Sequence, residues 1–394
     1  MNTGNWPERI RAQLAQVVDD GRWRAPRPFD ALGPGGELEG TDVVSFASND
    51  YLGLSCHPAV VAAAHAALDR WGTGAGASRL VTGSRPVHAD LEREIAQWKG
   101  TEAAVCFPTG FAANLGVLSV LGGPGVRVLS DELNHASIID GCRLSRSDVS
   151  VYRHRDLAHL EQMLASDAHH SQAPAVVVTD SVFSMDGDVA PLDELLELCL
   201  RHGALLVIDE AHAVLGPHLE TSALSGDPRA SVVRVGTLSK TLGALGGFVA
   251  ASRDIVDLLI NRARSYIFST ALPPADAAAG LAALVVLRSA EGDALVARLS
   301  FLVGRLSEAG LAAPDHPSPI VPVVLGSEQA AINASGVLLE AGLWVPAIRP
   351  PTVPAGTSRL RVTLSAAHDD ADVGRLVDVL AALPIPVSVG AIAR

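Results

Sequence analysis

Short apolar runs, rich in β-branched residues, alternate through the first two thirds of the chain with longer segments of helical periodicity. Several of these runs are apolar at consecutive positions, as expected for strands that helices cover on both faces. The pattern predicts strands at 103–107, 126–130, 175–183, 204–211, 232–238 and 246–252, with helices among them at 87–98, 111–121 and 192–201. This alternation predicts an α/β fold with a mainly parallel central sheet.

The pattern changes after Tyr266, where an alanine-rich segment at 275–287 predicts a long helix and only short elements follow. We therefore predict an N-terminal arm over 1–45, a large domain over 46–275 and a smaller α+β C-terminal domain over 276–394. The arm begins with an amphipathic helical pattern instead of the apolar core of a signal peptide.

Charge and composition narrow the class of protein. The 394 residues carry a formal net charge of −13, which argues against a protein that binds the nucleic-acid backbone through clustered basic residues. No apolar run is long enough to cross a bilayer. The four cysteines are scattered, with no histidine at ligand spacing, and predict no metal site. We expect a cytoplasmic protein.

The segment ALLVIDEAHAVLG indicates a cofactor site. Its predicted strand ends near Asp209, His212 follows three residues later, and open α/β sheets bind ligands beyond the carboxyl ends of their strands. A buried carboxylate there needs a cationic partner, which the protonated nitrogen of a pyridine ring supplies. The alternatives are a capped strand end and a helicase DEAH box. The chain has no Walker A sequence, which excludes the helicase.

Lysine is rare in this chain: of the 30 basic residues only Lys99 and Lys240 are lysines. Lysine can lose its proton and form an imine, whereas arginine cannot. Lys240 follows a predicted strand in the apolar, glycine-rich segment VRVGTLSKTLGALGGF, with Thr237 and Ser239 as candidate phosphate donors. We predict that Lys240 holds pyridoxal 5'-phosphate (PLP) as a Schiff base and that Lys99 is an ordinary helix-end lysine.

Three other segments bear on the ligand. Gly110 and Phe111 begin a predicted helix, whose unpaired N–H groups can bind phosphate. His135 lies beyond another strand, where ring stacking and helix capping are equally open. GTGAGA at 72–77 matches a dinucleotide-binding pattern but follows a helical segment, so we exclude nicotinamide binding.

Two arginines share one face of a predicted strand near the C-terminus. Period-two alternation in RLRVTLS places Arg359, Arg361 and Thr363 on the face opposite three apolar side chains. Paired guanidinium groups suit a carboxylate or a phosphate. A solvated edge strand is the alternative.

Together these segments resemble the α-oxoamine synthases, PLP-dependent enzymes with the aspartate aminotransferase type of fold (fold type I). The resemblance covers nearly the whole chain from about Trp6. It is carried by SNDYLGL (48–54), GASRLVTG (76–83), GFAAN (110–114), NHAS (134–137), DSVFSMDGD (180–188), DEAH (209–212), TLSK (237–240), FSTALPP (268–274) and RPPTVPAGTSRLR (349–361).

The resemblance implies roles for individual residues. Lys240 forms the Schiff base, Asp209 pairs with the ring nitrogen and His135 stacks on the ring; with His212 these are the implied catalytic residues. Further cofactor contacts are implied for Gly110, Phe111, Ser184, His212, Thr237 and Thr270. Thr270 is implied to reach the neighbouring subunit of a homodimer with shared sites. The amino-acid substrate is assigned to Asn49, His135 and Arg361, and the acyl donor to Thr352 and Arg24, with Arg22 a close rival.

Within this group, SRLVTG and RPPTVPAGTSRLRVTLSAAH look most like the members that condense L-alanine with a pimeloyl thioester in biotin biosynthesis. The acyl carrier is coenzyme A or an acyl carrier protein. The alternatives are the glycine-using 2-amino-3-ketobutyrate CoA ligase and 5-aminolevulinate synthase, and a non-catalytic scaffold of the same fold. One departure stands out: Ala213 and Val214 occupy positions where the group usually has Gly followed by Thr or Ser, which predicts altered surroundings for the cofactor.

Overall fold

The computed structural model describes residues 5–165, 173–219, 232–383 and 388–389. In chain order the strands are β1 Phe29–Ala31, β2 Gly35–Leu38, β3 Thr41–Ser45, β4 Ala103–Phe107, β5 Arg127–Asp131, β6 Asp148–Tyr152, β7 Ala175–Asp180, β8 Leu205–Asp209, β9 Val232–Thr237, β10 Gly247–Ala251, β11 Ile320–Gly326, β12 Leu343–Trp344, β13 Ala347–Ile348, β14 Ser358–Thr363 and β15 Ser388–Val389. The helices are α1 Trp6–Asp19, α2 Pro58–Trp71, α3 Pro86–Lys99, α4 Gly110–Leu121, α5 Ala136–Ser145, α6 Leu157–Ala165, α7 Leu192–His202, α8 Arg253–Arg262, α9 Arg264–Ile267, α10 Pro274–Leu287, α11 Ala290–Glu308, α12 Glu328–Glu340 and α13 Asp370–Ala382.

Within the described ranges, the largest sheet has seven strands in the spatial order β4-β10-β9-β8-β7-β5-β6. Only β10 runs antiparallel to its neighbours; the pairs from β9 to β6 are parallel. The predicted α/β fold with a mainly parallel sheet is therefore confirmed.

Apolar side chains cover both faces of this sheet. In β8, Leu206 and Ile208 pack with α6 and α7, whereas Val207 packs on the opposite face with α4, α5 and α8. Because successive strand residues face opposite sides, a strand buried on both faces is a continuous apolar run. This explains the pattern from which the strands were predicted.

The C-terminal part shares a core with the rest of the chain. Helix α10 packs against α2 and α3, and the same apolar cluster extends to α11, α13 and β14. Strand β12 pairs in parallel with β3, so the N-terminal strands join a sheet with C-terminal residues. A further sheet has the order β13-β14-β11-β15. The three-part division made from the sequence stays a prediction.

Some predicted boundaries differ from the observed ones. The strand predicted over 204–211 ends at Asp209, whose carboxylate accepts a hydrogen bond from the backbone N–H of Ala211 and turns the chain. Strand β6, at the edge of the sheet, was missed because its half-exposed sequence DVSVY lacks an apolar run. Among the described residues, no helix combines the length and apolarity needed to cross a bilayer.

Candidate active site

A cavity of about 250 Å³ opens beyond the carboxyl ends of β7, β8 and β9. Its wall contains many of the residues predicted from the sequence: Gly110, Phe111, His135, Ser184, Asp209, His212, Thr237, Ser239 and Lys240. Thr109, Asn114, Ser137, Asp180 and Ala211 complete it. The parallel strands and the helices that follow them thus bring residues more than a hundred positions apart into one pocket.

Asp209 is buried at the end of β8 with both carboxylate oxygens fixed. Oδ2 accepts from Nδ2 of Asn114 at 2.6 Å, and Oδ1 accepts from the N–H of Ala211 at 2.9 Å. Nδ2 of Asn114 also donates to the hydroxyl of Ser137 at 2.8 Å. These neutral donors orient the carboxylate without neutralising it, which leaves it suited to a cationic ligand.

A second carboxyl group, Asp180, lies at the end of the adjacent strand in register with Asp209. Burial, together with the neighbouring charge of Asp209, raises the pKa of Asp180 well above its usual range. Its Oδ2 accepts from the backbone N–H of His135 at 2.9 Å. A negative charge on both carboxyl groups, Asp180 and Asp209, is therefore energetically unfavourable.

Lys240 follows β9, and its side chain lines the same cavity. Its Nζ lies 2.7 Å from Nε2 of His212. Burial lowers the pKa of Lys240, and the nearby charges of Asp209 and Asp180 only partly offset this effect. A buried amine of this kind gives up its proton readily, as imine formation requires.

The N-terminus of α4 forms a third wall. Thr109 caps it by accepting from the N–H of Ala112 at 3.0 Å. Gly110 and Phe111, whose first-turn N–H groups have no acceptor within the helix, line the cavity. A Cβ at Gly110 would lie 3.3 Å from Cβ of Thr237, a tight contact that glycine avoids. The hydroxyls of Thr237 and Ser239, 2.7 Å apart, add donors beside it.

This donor set fits PLP. The cavity joins an amine for the aldehyde, a buried carboxylate for the ring nitrogen and a helix N-terminus with two hydroxyls for the phosphate.

His135 is exposed on the wall, with its Nδ1 accepting from the N–H of Ser137 at 3.2 Å. It therefore caps α5 and still presents its ring to the cavity, so both alternatives raised by the sequence are compatible.

Arg361 lies beside the cavity, within hydrogen-bonding reach of Ser184. Its Nε donates to the backbone oxygen of Ser184 at 2.6 Å, and its Nη2 donates to Oδ1 of Asn49 at 3.1 Å. Arg359, on the same strand, pairs with Asp186. Strand β14 lies between β13 and β11 and is buried, so the alternative of a solvated edge strand is wrong.

Five predicted residues are absent from the lining of this cavity. Asn49 and Arg361 lie beside it, whereas Thr270, Thr352 and Arg24 are exposed. Arg349 links two of their segments, because its Nη1 donates to the backbone oxygen of Gly21 at 2.9 Å while its own backbone oxygen accepts from the N–H of Thr352. The roles assigned to these residues stay predictions.

The departure at Ala213–Val214 lies beside the cofactor cavity. Both residues line a neighbouring cavity with Lys99 and Glu210, which shares Ala211 and Thr237 with the Lys240 cavity. The effect of the departure on substrate preference stays a prediction.

Sequence reasoning missed Asn114, Ser137, Asp180 and Tyr51. Asn114 had a detectable signal, since a polar residue inside the apolar helix GFAANLGVLSVL requires a buried partner. Asp180 resembles Asp209 in following an apolar strand. Tyr51 gave no signal, because its hydroxyl is brought to His212 only by the tertiary fold.

Comparison with known proteins agrees with this geometry. The family model for aminotransferase class I and II matches residues 41–380. The chain is 47% identical over 380 residues to an 8-amino-7-oxononanoate synthase of Geobacter sulfurreducens, covering 94% of this chain and 97% of that protein. It is 49% identical over 384 residues to the Anaeromyxobacter dehalogenans protein of that name, covering 95% of each. The chain belongs to the 8-amino-7-oxononanoate synthase family.

Solved structures support the same assignment. A serine palmitoyltransferase from Sphingomonas wittichii superposes with a TM-score of 0.85 at 31% identity, over 96% of this chain and 97% of that one. An 8-amino-7-oxononanoate synthase from Francisella tularensis gives 0.70 at 26% identity, over 86% and 96%. The predicted fold type, PLP dependence and enzyme class are confirmed, and the comparisons favour this family over the glycine-using alternatives.

Proposed function

We propose that this enzyme condenses L-alanine with a pimeloyl thioester to give 8-amino-7-oxononanoate, carbon dioxide and the free thiol. The observation that carries the proposal is the cavity in which the Lys240 amine and the Asp209 carboxylate face the N-terminus of α4. The name of the relatives gives the product, 8-amino-7-oxononanoate. The resemblance carried by the sequence motifs implies the two substrates.

Bound PLP supplies an imine linkage and a ring that withdraws electrons from the Cα of the amino acid. Asp209, held by Asn114 and Ala211, keeps a proton on the ring nitrogen. The Lys240 amine, once released, removes the Cα proton of alanine as a general base, which its lowered pKa favours. Gly110 and Phe111 bind the phosphate through the first turn of α4, helped by Thr237.

The partly buried hydrogen bond between Arg361 and Asn49 supports their assignment to the alanine carboxylate. A guanidinium grips a carboxylate in a fixed orientation, so this pair sets the angle of the Cα–H bond above the ring. His135, Ser184 and His212 line the cavity. His135 would cover the ring of bound PLP, and Ser184 and His212 would hold its phenolic oxygen.

We further propose a homodimer with shared sites. Thr270 is exposed and outside its own cavity, which supports a contact with the phosphate in the neighbouring subunit. Thr352 and Arg24 receive the acyl donor. The Arg349–Gly21 hydrogen bond, which ties their segments together, supports this assignment, and Arg22 on the same segment is the alternative.

The test is mass spectrometry of the products made by the PLP-loaded enzyme from alanine or glycine with pimeloyl, acetyl or succinyl thioesters. We expect 8-amino-7-oxononanoate from alanine and the pimeloyl thioester as the main product. Preferential use of glycine with acetyl-CoA or succinyl-CoA would contradict the proposal. Comparing coenzyme A with acyl carrier protein donors then identifies the carrier.

A further inference from the structure

Hydrogen bonds connect the Lys240 amine to the Arg361 guanidinium through three other side chains. Nζ of Lys240 lies 2.7 Å from Nε2 of His212, and Nδ1 of His212 lies 2.5 Å from the Tyr51 hydroxyl. That hydroxyl lies 3.2 Å from Oδ1 of Asn49, which accepts from Nη2 of Arg361 at 3.1 Å. The Tyr51 side chain is completely buried, and the proposed reaction assigns it no role.

The direction of each hydrogen bond follows from the Arg361 end. A guanidinium has only N–H donors, so Arg361 requires the oxygen of the Asn49 amide to face it. Tyr51 donates to that oxygen at 3.2 Å, because an amide oxygen has no proton to give. The Tyr51 oxygen accepts in turn from Nδ1 of His212, which leaves Nε2 as an acceptor toward Lys240.

The protonation states agree with this assignment. Burial, and the charges of Lys240 and Arg361, hold the pKa of His212 well below its usual range, so the ring carries one proton. Burial raises the pKa of Tyr51 to about 12, so the hydroxyl keeps its proton.

Three further sets of charges act along this chain of hydrogen bonds. The charge of His135 acts on His212, and the charges of Asp209, Asp180 and Arg361 act on Lys240. Arg361 also acts on the Tyr51 hydroxyl, through its charge and a hydrogen bond.

We propose that Tyr51 is a positioning residue that sets the tautomer of His212, so that Nε2 accepts from the Lys240 amine and leaves the amine lone pair free for the substrate. The same hydrogen bonds link the amine to Asn49 and Arg361, the pair assigned to the amino-acid carboxylate. The role of the lysine in catalysis rests on the proposed function, whereas the tautomer does not.

The rarity of lysine makes this inference directly testable. In the full-length chain freed of PLP, the pH dependence of amine acetylation, followed by peptide mass spectrometry, gives the titration midpoint of Lys240. Lys99, the other lysine of the chain, is the internal reference.

In Tyr51→Phe the Nδ1–H of His212 loses its acceptor, so the proton moves to Nε2 and points at Lys240. That N–H favours the neutral amine, and the midpoint should fall by about one pH unit.

Asn49→Ala gives a second, non-local test. Without the Asn49 oxygen, Tyr51 is free to donate to Nδ1 of His212, which again moves the imidazole proton to Nε2. The Lys240 midpoint should therefore fall as it does in Tyr51→Phe, although Asn49 is separated from Lys240 by two side chains. Tyr266→Phe is the matched control, since it removes a buried tyrosine hydroxyl outside the cavity lining.

A lower Lys240 midpoint in both variants, with Lys99 and Tyr266→Phe unchanged, supports the inference. An unchanged midpoint in a variant that is folded by circular dichroism overturns it, and Asn49→Ala decides alone if Tyr51→Phe does not fold. The titration needs neither substrate nor turnover. Wild-type enzyme that makes no 8-amino-7-oxononanoate would instead contradict the proposed function and leave the tautomer test standing.

Discussion

The two lysines of this chain lie on opposite sides of one strand end and have opposite kinds of partner. Asp209 and Glu210 are consecutive at the end of β8; Asp209 lines the cavity of Lys240, and Glu210 lines a second cavity with Lys99. Nζ of Lys99 lies 2.7 Å from Oε2 of Glu210. Lys240 hydrogen-bonds the imidazole of His212 instead.

The difference shows that the partner decides whether a buried amine is a structural cation or a reactive group. Burial disfavours the charge of Glu210, but the cations Lys99 and Arg234 outweigh burial and lower the pKa of Glu210. Burial dominates at Lys240 and lowers the pKa of its amine. We infer that Lys99 keeps a buried ion pair intact, while Lys240 is available for covalent chemistry.

The largest effect that separates the two sites is expected from replacing each lysine by arginine. Lys240→Arg should lower kcat/KM by about 10³-fold or more, because arginine can neither form the imine nor act as the base. Lys99→Arg preserves the charge beside Glu210, so its kcat/KM should stay close to wild type. Steady-state product formation measures both, and equal losses in the two variants would contradict the comparison.

Substitutions of the two consecutive acids, Asp209 and Glu210, should affect different properties: the first activity, the second stability. Asp209→Asn should lower kcat/KM by about 10²-fold. It should leave the unfolding midpoint nearly unchanged, because Ala211 still donates to the remaining oxygen and the Asn114 amide, whose Oδ1 has no hydrogen-bond partner, turns to accept from the new NH2 group. Glu210→Gln leaves two buried cations, Lys99 and Arg234, without their negatively charged partner. It should reduce the free energy of unfolding by about 3–5 kcal/mol.

Urea unfolding measures the stability of the two variants, and steady-state kinetics measures their kcat/KM. A stable Glu210→Gln enzyme would show that the ion pair does not hold the second cavity together.

The smallest effect concerns His154, a partly buried imidazole with carboxylates on both sides. Nδ1 lies 2.9 Å from Asp131 and Nε2 lies 2.8 Å from Asp188. Burial opposes its charge, but these hydrogen bonds outweigh it and raise the pKa of His154 to about 9. His212, which faces the cations Lys240 and Arg361, has a lowered pKa instead.

Because the folded pKa of His154 exceeds the unfolded value, its stabilisation is complete below pH ~6.5 and is lost as the pH rises through about 9. The wild type should therefore be more stable than His154→Gln by about 2 kcal/mol at pH 6, and this difference should shrink toward pH 10. Urea unfolding across this range measures it. A difference that does not change with pH would mean that His154 is not charged.

The sequence predicted the central sheet well because its buried strands are continuous apolar runs, which need no tertiary information. The chemistry at Asp209 and Lys240 could be predicted from the sequence for a related reason. Asp209 ends such a strand and Lys240 follows one, and the carboxyl ends of parallel strands meet at one edge of the sheet. Strand β6 has a half-exposed pattern and was missed.

The residues that support the site were harder to predict from the sequence than the residues at the strand ends. Tyr51 and Asn114 contact partners 161 and 95 positions away, and such pairings depend on packing between elements. The positions of Thr270, Thr352 and Arg24 against substrates or a second subunit depend on molecules beyond the single chain.

The measurement that tests the central claim most directly is borohydride reduction of the PLP-loaded enzyme, followed by peptide mass spectrometry. With only two lysines in the chain, the site of the phosphopyridoxyl adduct is unambiguous. We expect the adduct on Lys240 and none on Lys99. An adduct on Lys99, or a protein that binds PLP without modification of Lys240, would contradict the account.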